Sequence, residues 1–264
     1  MKRNLETASQ TARWDQLLTQ AEHYLPTYLA TTAGLSHESK GIRRSELFFC
    51  YALIARMRPD RLIESGRGRA QSTLVLSRLF PSALIVSLES NANSPDAAIA
   101  VERLRNAANV ECRFGDSLLI LPELAKAGDV ILIDGPKDFR ALKLAFRLLL
   151  RNKVRGVFIH DLWPGSPARG FVDQHLPFAL LSDDPRWVKA YASLDSTRLP
   201  PAPAESGRQR AYGPTMSYLA EHLDNYGQRL RQCLLAQAKD RIQATIRKWR
   251  DQPPPSRPAD FELV

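Results

Sequence analysis

Apolar residues recur at helical spacing over residues 5–30, with Trp14, Leu17, Leu18, Ala21, Tyr24 and Leu25 on one stripe. Residues 31–44, TTAGLSHESKGIRR, are polar and glycine-containing and predict a connection. SELFFCYALIARMRP predicts a helix that starts at Ser45 as N-cap and breaks at Pro59. The period then changes. RLIES, ALIVSLE, NVECRFGD, DVILIDG and RGVFIHD read as five strands. Between them, residues 71–80, 95–107 and 138–150 read as helices, and SLLILPELAKAG as a short helix or turn. DVILIDG is almost wholly apolar, as a strand buried on both faces should be.

This alternation predicts an α/β fold: a Rossmann-like open, mostly parallel sheet with helices on both faces. The pattern weakens past residue 162. LPPAPAESG at 199–207 reads as an exposed linker, and DQPPPSRPADFELV as a loosely laid tail. Residues 215–250 predict one long charged helix. Its apolar positions Met216, Leu219, Leu223, Tyr226 and Leu230 are heptad-like, then shift to Leu234, Ala238, Ile242 and Trp249. The expected organisation is an N-terminal helical addition (1–58), a ligand-binding domain (59–198), a linker (199–214) and a C-terminal helix with tail (215–264). The last helix is a candidate homodimer contact.

The 264 residues are 44% hydrophobic, enough for a sizeable core. The three cysteines are widely spaced and form no C-x-x-C pair, and no apolar stretch approaches a membrane span, so a cytoplasmic protein with no membrane partner is expected. The net charge of +9 raises the possibility of a nucleic-acid partner. It is spread evenly, with 8 basic against 6 acidic residues in 1–60, 19 against 15 in 61–200 and 10 against 7 in 201–264. Arg140, Lys143, Arg147 and Arg151 read as the solvated face of a helix whose other face carries Leu142, Leu144, Ala145, Leu148 and Leu149.

Ligands of such sheets bind beyond the carboxyl ends of the strands. Glu64, Gly66 and Gly68, then Glu89, Asp116, Asp134, and finally His160 and Asp161 stand at those ends. In ESGRGRAQST, counting G-x-G-x-x-G from Gly66 puts Gln71 where a dinucleotide site needs its third glycine. No Gly-Lys-Ser/Thr follows, which excludes a P-loop. Counted as E-x-G-x-G-x-G, three positions match and Ala70 takes the fourth.

With VSLES, FGDS, ILIDG and FIHD, residues 60–165 resemble the class I S-adenosylmethionine (SAM)-dependent methyltransferases. The resemblance implies SAM as cofactor. Glu64 or Asp134 would meet its methionyl amine, and Ser72 and Thr73 its carboxylate. Gly66 and Gly68 would shape the loop, Glu89 would accept the ribose diol, and Asp116 with Ser117 would sit near the adenine. DGPKD is similar to the D-x-x-K-D of catechol-type O-methyltransferases, which implies Asp134 as metal ligand and Lys137 as general base, its pKa lowered by a metal and a dry cleft. That pattern ends D-N on the fifth strand; here Leu162 follows Asp161, and His160 precedes it. Asp134, His160 and Asp161 form a candidate site for Mg²⁺ or another divalent cation, and His160 is an alternative base.

The expected activity is O-methylation of a small hydroxylated acceptor, such as a sugar, phenol or natural-product intermediate. Trp163, in the loop WPGSPARG, is placed to cover that acceptor. Methylation of RNA or another macromolecule, and a non-catalytic member of the fold, are the alternatives; Ala70 in the cofactor loop and the ligand missing at Leu162 motivate the second.

Overall fold

A computed structural model describes residues 2–38, 41–195, 215–221 and 225–250, without the side chains of 2–9 and 248–250. The proposed linker at 199–214, the tail beyond 250 and the Trp249 side chain lie outside the described residues.

Two helices come first, α1 (Lys2–Thr32) and α2 (Arg44–Ile54). The alternating unit follows: β1 (Arg61–Ser65), α3 (Gln71–Leu79), β2 (Leu84–Glu89), α4 (Pro95–Leu104), β3 (Val110–Phe114), α5 (Ser117–Leu124), β4 (Val130–Ile133), α6 (Asp138–Arg147) and β5 (Gly156–Ile159). The chain continues through α7 (Pro167–His175), β6 (Leu180–Leu181), α8 (Pro185–Tyr191), β7 (Ser217–Ala220) and α9 (Tyr226–Arg250). One seven-stranded sheet has the order β3-β2-β1-β4-β5-β7-β6. β7 runs antiparallel to both neighbours, and the β1–β5 pairings are parallel. The expected Rossmann-like α/β sheet is present. Strand order reverses between β1 and β4, so the crevice for a ligand opens at the carboxyl ends of those two strands.

Strand periodicity divides the core. Leu62, Val130, Leu132 and Phe158 point to the face covered by α1, α2, α3 and α8. Ile63, Ile131, Ile133, Val157 and Ile159 point to the face covered by α6, α7 and α9. On α1, Trp14, Leu17 and Ala21 are buried, with Leu18, Tyr24 and Leu25 packed against them. Residues of α1 and α2, from Trp14 to Ile54, share the main core with Phe158 and Met216. On α6 and the helical turn after it, the apolar face is buried and Arg140, Arg147 and Arg151 are exposed, while Lys143 donates to Gln237 on α9 at 2.7 Å.

Two expectations are corrected. The long C-terminal helix begins at Tyr226, because residues 217–220 form β7 inside the sheet. Met216 and Tyr218 pack on one face and Leu219 on the other, a period of two that the heptad-like spacing conceals. The sheet therefore includes residues beyond position 214. On α9, Tyr226 and Cys233 are buried, whereas Leu234, Leu235, Ile242 and Ile246 are exposed. Secondly, α2 starts at Arg44 with Arg43 as its N-cap residue, whose N–H donates to the Glu46 carboxylate at 3.0 Å. Ser45 instead donates from its amide and hydroxyl to Asp195, at 2.9 and 2.7 Å.

If β7 is a structural strand, Leu219→Ala should lower the unfolding free energy by about 2–5 kcal/mol, as for other buried leucines. A helical 215–225 at the surface would predict a change under about 0.5 kcal/mol. Urea titration of both proteins decides between them.

Candidate functional site

The loop after β1 is shaped by its backbone. Gly66 has φ +93° and sits so close to the end of β4 that a Cβ would lie 2.9 Å from the Asp134 carbonyl carbon and the Gly135 nitrogen. No side chain fits there. Gly68 has φ +49° and faces open space, and its N–H donates to Glu89 at 2.9 Å. The other Glu89 oxygen accepts from the amide of Ser90 at 2.7 Å. Glycine loop, β2 carboxylate and the end of β4 thus meet at the sheet's switch point.

Ala70 adopts a left-handed conformation, φ +60°, which costs an L-residue roughly 1–2 kcal/mol. Its methyl group is fully buried with Ala100 and Leu104 of α4. It packs α3 against α4 instead of standing free in the loop. Gln71 is also structural: its side-chain oxygen accepts from the Glu38 amide and its nitrogen contacts His37 Nδ1 at 2.7 Å, tying the α1–α2 connection over the start of α3.

Glu64, Ser72 and Thr73 do not face the cleft. The Glu64 carboxylate is fully buried and accepts from the hydroxyls of Ser72, Thr73 and Ser87, the last at 2.8 Å. Burial pushes its pKa up, and the three donors oppose that shift. These residues brace β1, α3 and β2 beneath the loop, with both hydroxyls turned to the Glu64 carboxylate. Arg67 is buried likewise, donating to the Ser87 carbonyl at 2.7 Å beneath the Phe114 ring. Ser65, which sequence reasoning passed over, contacts the buried Ser117 hydroxyl at 2.6 Å and the Gly135 carbonyl. Exposed Asp116 caps α5, accepting from the Leu118 amide at 2.8 Å.

Across the crevice is a chain of five charged groups. Glu46, from the first turn of α2, is buried; it accepts from the Thr215 amide at 2.6 Å and lies 3.3 Å from His160 Nε2. His160 Nδ1 is 2.7 Å from Asp134 and 3.4 Å from Asp161. Lys137 Nζ bridges Asp134 at 2.5 Å and Asp161 at 2.7 Å. The His160 side chain has no solvent exposure, yet it is held as an imidazolium. Burial lowers its pKa, but the Asp134 and Glu46 carboxylates outweigh that and raise it to about 10. Burial likewise opposes the charge on Asp134, and His160 and Lys137 overcome it, holding the carboxyl well below its usual range.

The Lys137 pKa is raised, because two carboxylates outweigh its burial. That is the reverse of the lowered value expected of a general base, and in this arrangement Lys137 is an ammonium counter-ion. His160 is likewise charged in this arrangement, with both nitrogens engaged. Glu46 was missed because it is distant in sequence; its one local signal is its position three residues after Arg43, where a capping-box acid belongs.

The donor atoms of Asp134, His160 and Asp161 all lie within 4.8 Å of one another. A His backed by a carboxylate, beside two further carboxylates, is a donor set suited to a divalent cation, in competition with the Lys137 ammonium. Leu162 is wholly buried and apolar and supplies no ligand. Beside Lys137, a cleft of about 420 Å³ lies between Trp163, Arg140 and the α9 residues Gln237 and Arg241. Trp163 is 39% exposed.

No family model matches the chain, and no curated protein matches it. Among solved structures, it is similar to the O-methyltransferase TomG from Streptomyces achromogenes, involved in tomaymycin synthesis and in complex with SAM. That match has 18% identity, covers 69% of this chain and 82% of that one, and has a TM-score of 0.44. An O-methyltransferase from Bacillus cereus in complex with S-adenosylhomocysteine (SAH) matches at 19% identity over 81% of this chain and 97% of that one, TM-score 0.44. The SAH-bound methyltransferase PaMTH1 of Podospora anserina matches at 19% identity over 72% and 84%, TM-score 0.41.

Removing one partner of a buried ion pair leaves the other uncompensated. Glu46→Ala should therefore cost about 3–5 kcal/mol, measured by denaturant unfolding, despite its distance in sequence from every other member. A loss under about 1 kcal/mol would show that Glu46 is not part of the buried chain.

Proposed function

We propose that the protein is a SAM-dependent methyltransferase acting on the hydroxyl of a small acceptor. The observation that carries this is the charge around the glycine loop. Glu89 and Asp134 flank it, Asp116 stands at the next strand end, and Arg67 is turned beneath it. A phosphate ligand would be repelled by such a rim. A sulfonium with an ammonium group and a ribose diol is suited to it, since a carboxylate accepts from both. The open face at Gly68 lets the ligand approach the backbone.

SAM supplies an electrophilic methyl group: the acceptor hydroxyl gives its proton to solvent water, and the O–CH₃ bond forms as the S–CH₃ bond breaks and SAH leaves. In this reading Asp134 meets the methionyl amine, Glu89 the ribose hydroxyls, and Asp116 with the α5 start the adenine. The cleft bounded by Trp163, Arg140 and α9 admits the acceptor next to Lys137, whose ammonium electrostatically favours the developing oxyanion. A divalent cation held by Asp134, His160 and Asp161 would add Lewis-acid lowering of the acceptor's pKa. The basic residues on α6 are a solvated helix face, so the small-molecule acceptor is preferred to RNA.

Calorimetric titration with SAH checks this. Saturable binding is expected, weakened about tenfold or more by Glu89→Ala, which removes charge-assisted contacts to the ribose. No saturable binding by the wild type at about 1 mM ligand would overturn the assignment.

A further inference from the structure

A second cleft, of about 340 Å³, lies between α1, the end of α2 and the β6–β7 edge, and shares no lining residue with the site above. One wall is apolar, with buried Leu17 and Leu180, and Gln16 and Gln20 also line the cleft. Its charged lining groups are both cations, Arg13 and Arg56; among the described residues no carboxylate lines it. The Arg13 guanidinium is half-buried and donates to the Phe178 carbonyl, a neutral partner. Burial without an acid lowers its pKa. Tyr218 lines the same cleft at 3% exposure, and among the described residues its hydroxyl meets only the Met57 sulfur, at 4.0 Å. A thioether is a weak acceptor, so a buried hydroxyl donor stands nearly unsatisfied beside an uncompensated guanidinium. Nearby, Arg155 donates to the Met57 carbonyl at 2.6 Å and adds positive potential at Tyr218.

Each of these features is costly alone, and one ligand chemistry relieves them together. We propose that this cleft binds a small organic oxyanion, a carboxylate or phosphate on an apolar body, with Arg13 and Tyr218 donating to the oxyanion and Leu17 and Leu180 packing on the body. Arg13 presents a planar fork of donors that matches either head group. The volume is within the range of small-molecule sites. The cleft is independent of the methyl-transfer site, so its ligand is a second molecule.

The test is calorimetric titration of the full chain with benzoate, phenyl phosphate and inorganic phosphate. Saturable binding of benzoate or phenyl phosphate is expected, and the tighter arm identifies the head group. Arg13→Gln should weaken it about tenfold or more, and Tyr218→Phe, which keeps the ring, less. Arg56→Gln, at an exposed position, provides a second readout if the Arg13 variant fails to fold. Affinity for SAH should be unchanged in all three. No saturable binding of either aromatic probe at about 10 mM would overturn the proposal, as would binding undiminished by Arg13→Gln and Arg56→Gln. Inorganic phosphate binding as tightly as phenyl phosphate would refute the role of the apolar wall.

Discussion

The ion chain Glu46–His160–Asp134–Lys137–Asp161, buried at Glu46 and His160 and half-buried beyond them, constrains everything around the crevice. Placing an ion out of water costs several kcal/mol, and only good geometry with opposite charges and hydrogen bonds offsets it. Here every member has a partner of opposite charge within 3.4 Å. The chain crosses elements far apart in sequence: the start of α2, the ends of β4 and β5, and, through the Thr215 amide, the entry to β7. Displacing any one of these strands or the helix would strand a charge. The first helices and the last strand are therefore requirements of the site and not decorations of a central domain.

The same chain sets the site's chemistry. With an imidazolium and an ammonium between three carboxylates, proton-accepting power at the acceptor cleft is low in this arrangement. Lys137 and His160 hold positions and fields. In the proposed reaction the site would act through electrostatic arrangement: acidic groups around the glycine loop for a cationic donor, and the Lys137 ammonium beside the cleft for an acceptor oxyanion. Gly66 couples the halves, because its backbone touches that of Asp134 and no side chain could stand between them.

Much of the fold was legible in the chain. The five parallel strands are short apolar runs between helical periods, and each lies within a residue or two of its expectation. β7 was not, because Met216, Leu219, Tyr226 and Leu230 fit a helical spacing as readily as Met216, Tyr218 and Leu219 fit a strand; tertiary pairing with β5 and β6 settles it. At the site, Gly66, Gly68, Glu89, Asp134, His160 and Asp161 fall where strand ends put them. Glu64, Ser72 and Thr73 converge as well, but on one another, since side-chain direction within a β–loop–α turn is not written in spacing. Glu46 and the direction of the Lys137 shift depend on contacts between distant segments, which a linear pattern does not record. Ala70 looked like a defect only while its methyl had no neighbours; α4 supplies them.

The most direct test of this account is the protonation state of His160, read from its imidazole ¹⁵N and ¹H resonances in metal-free protein through a pH titration. An unperturbed histidine would lose its proton near 6.5, whereas the two carboxylates raise this one to about 10. The account predicts imidazolium resonances, both nitrogens protonated, persisting through about pH 8.5, with loss of the proton only toward 10. A neutral tautomer already dominant at about pH 7.5 would contradict it, because the buried chain would then lack the charge that holds it together.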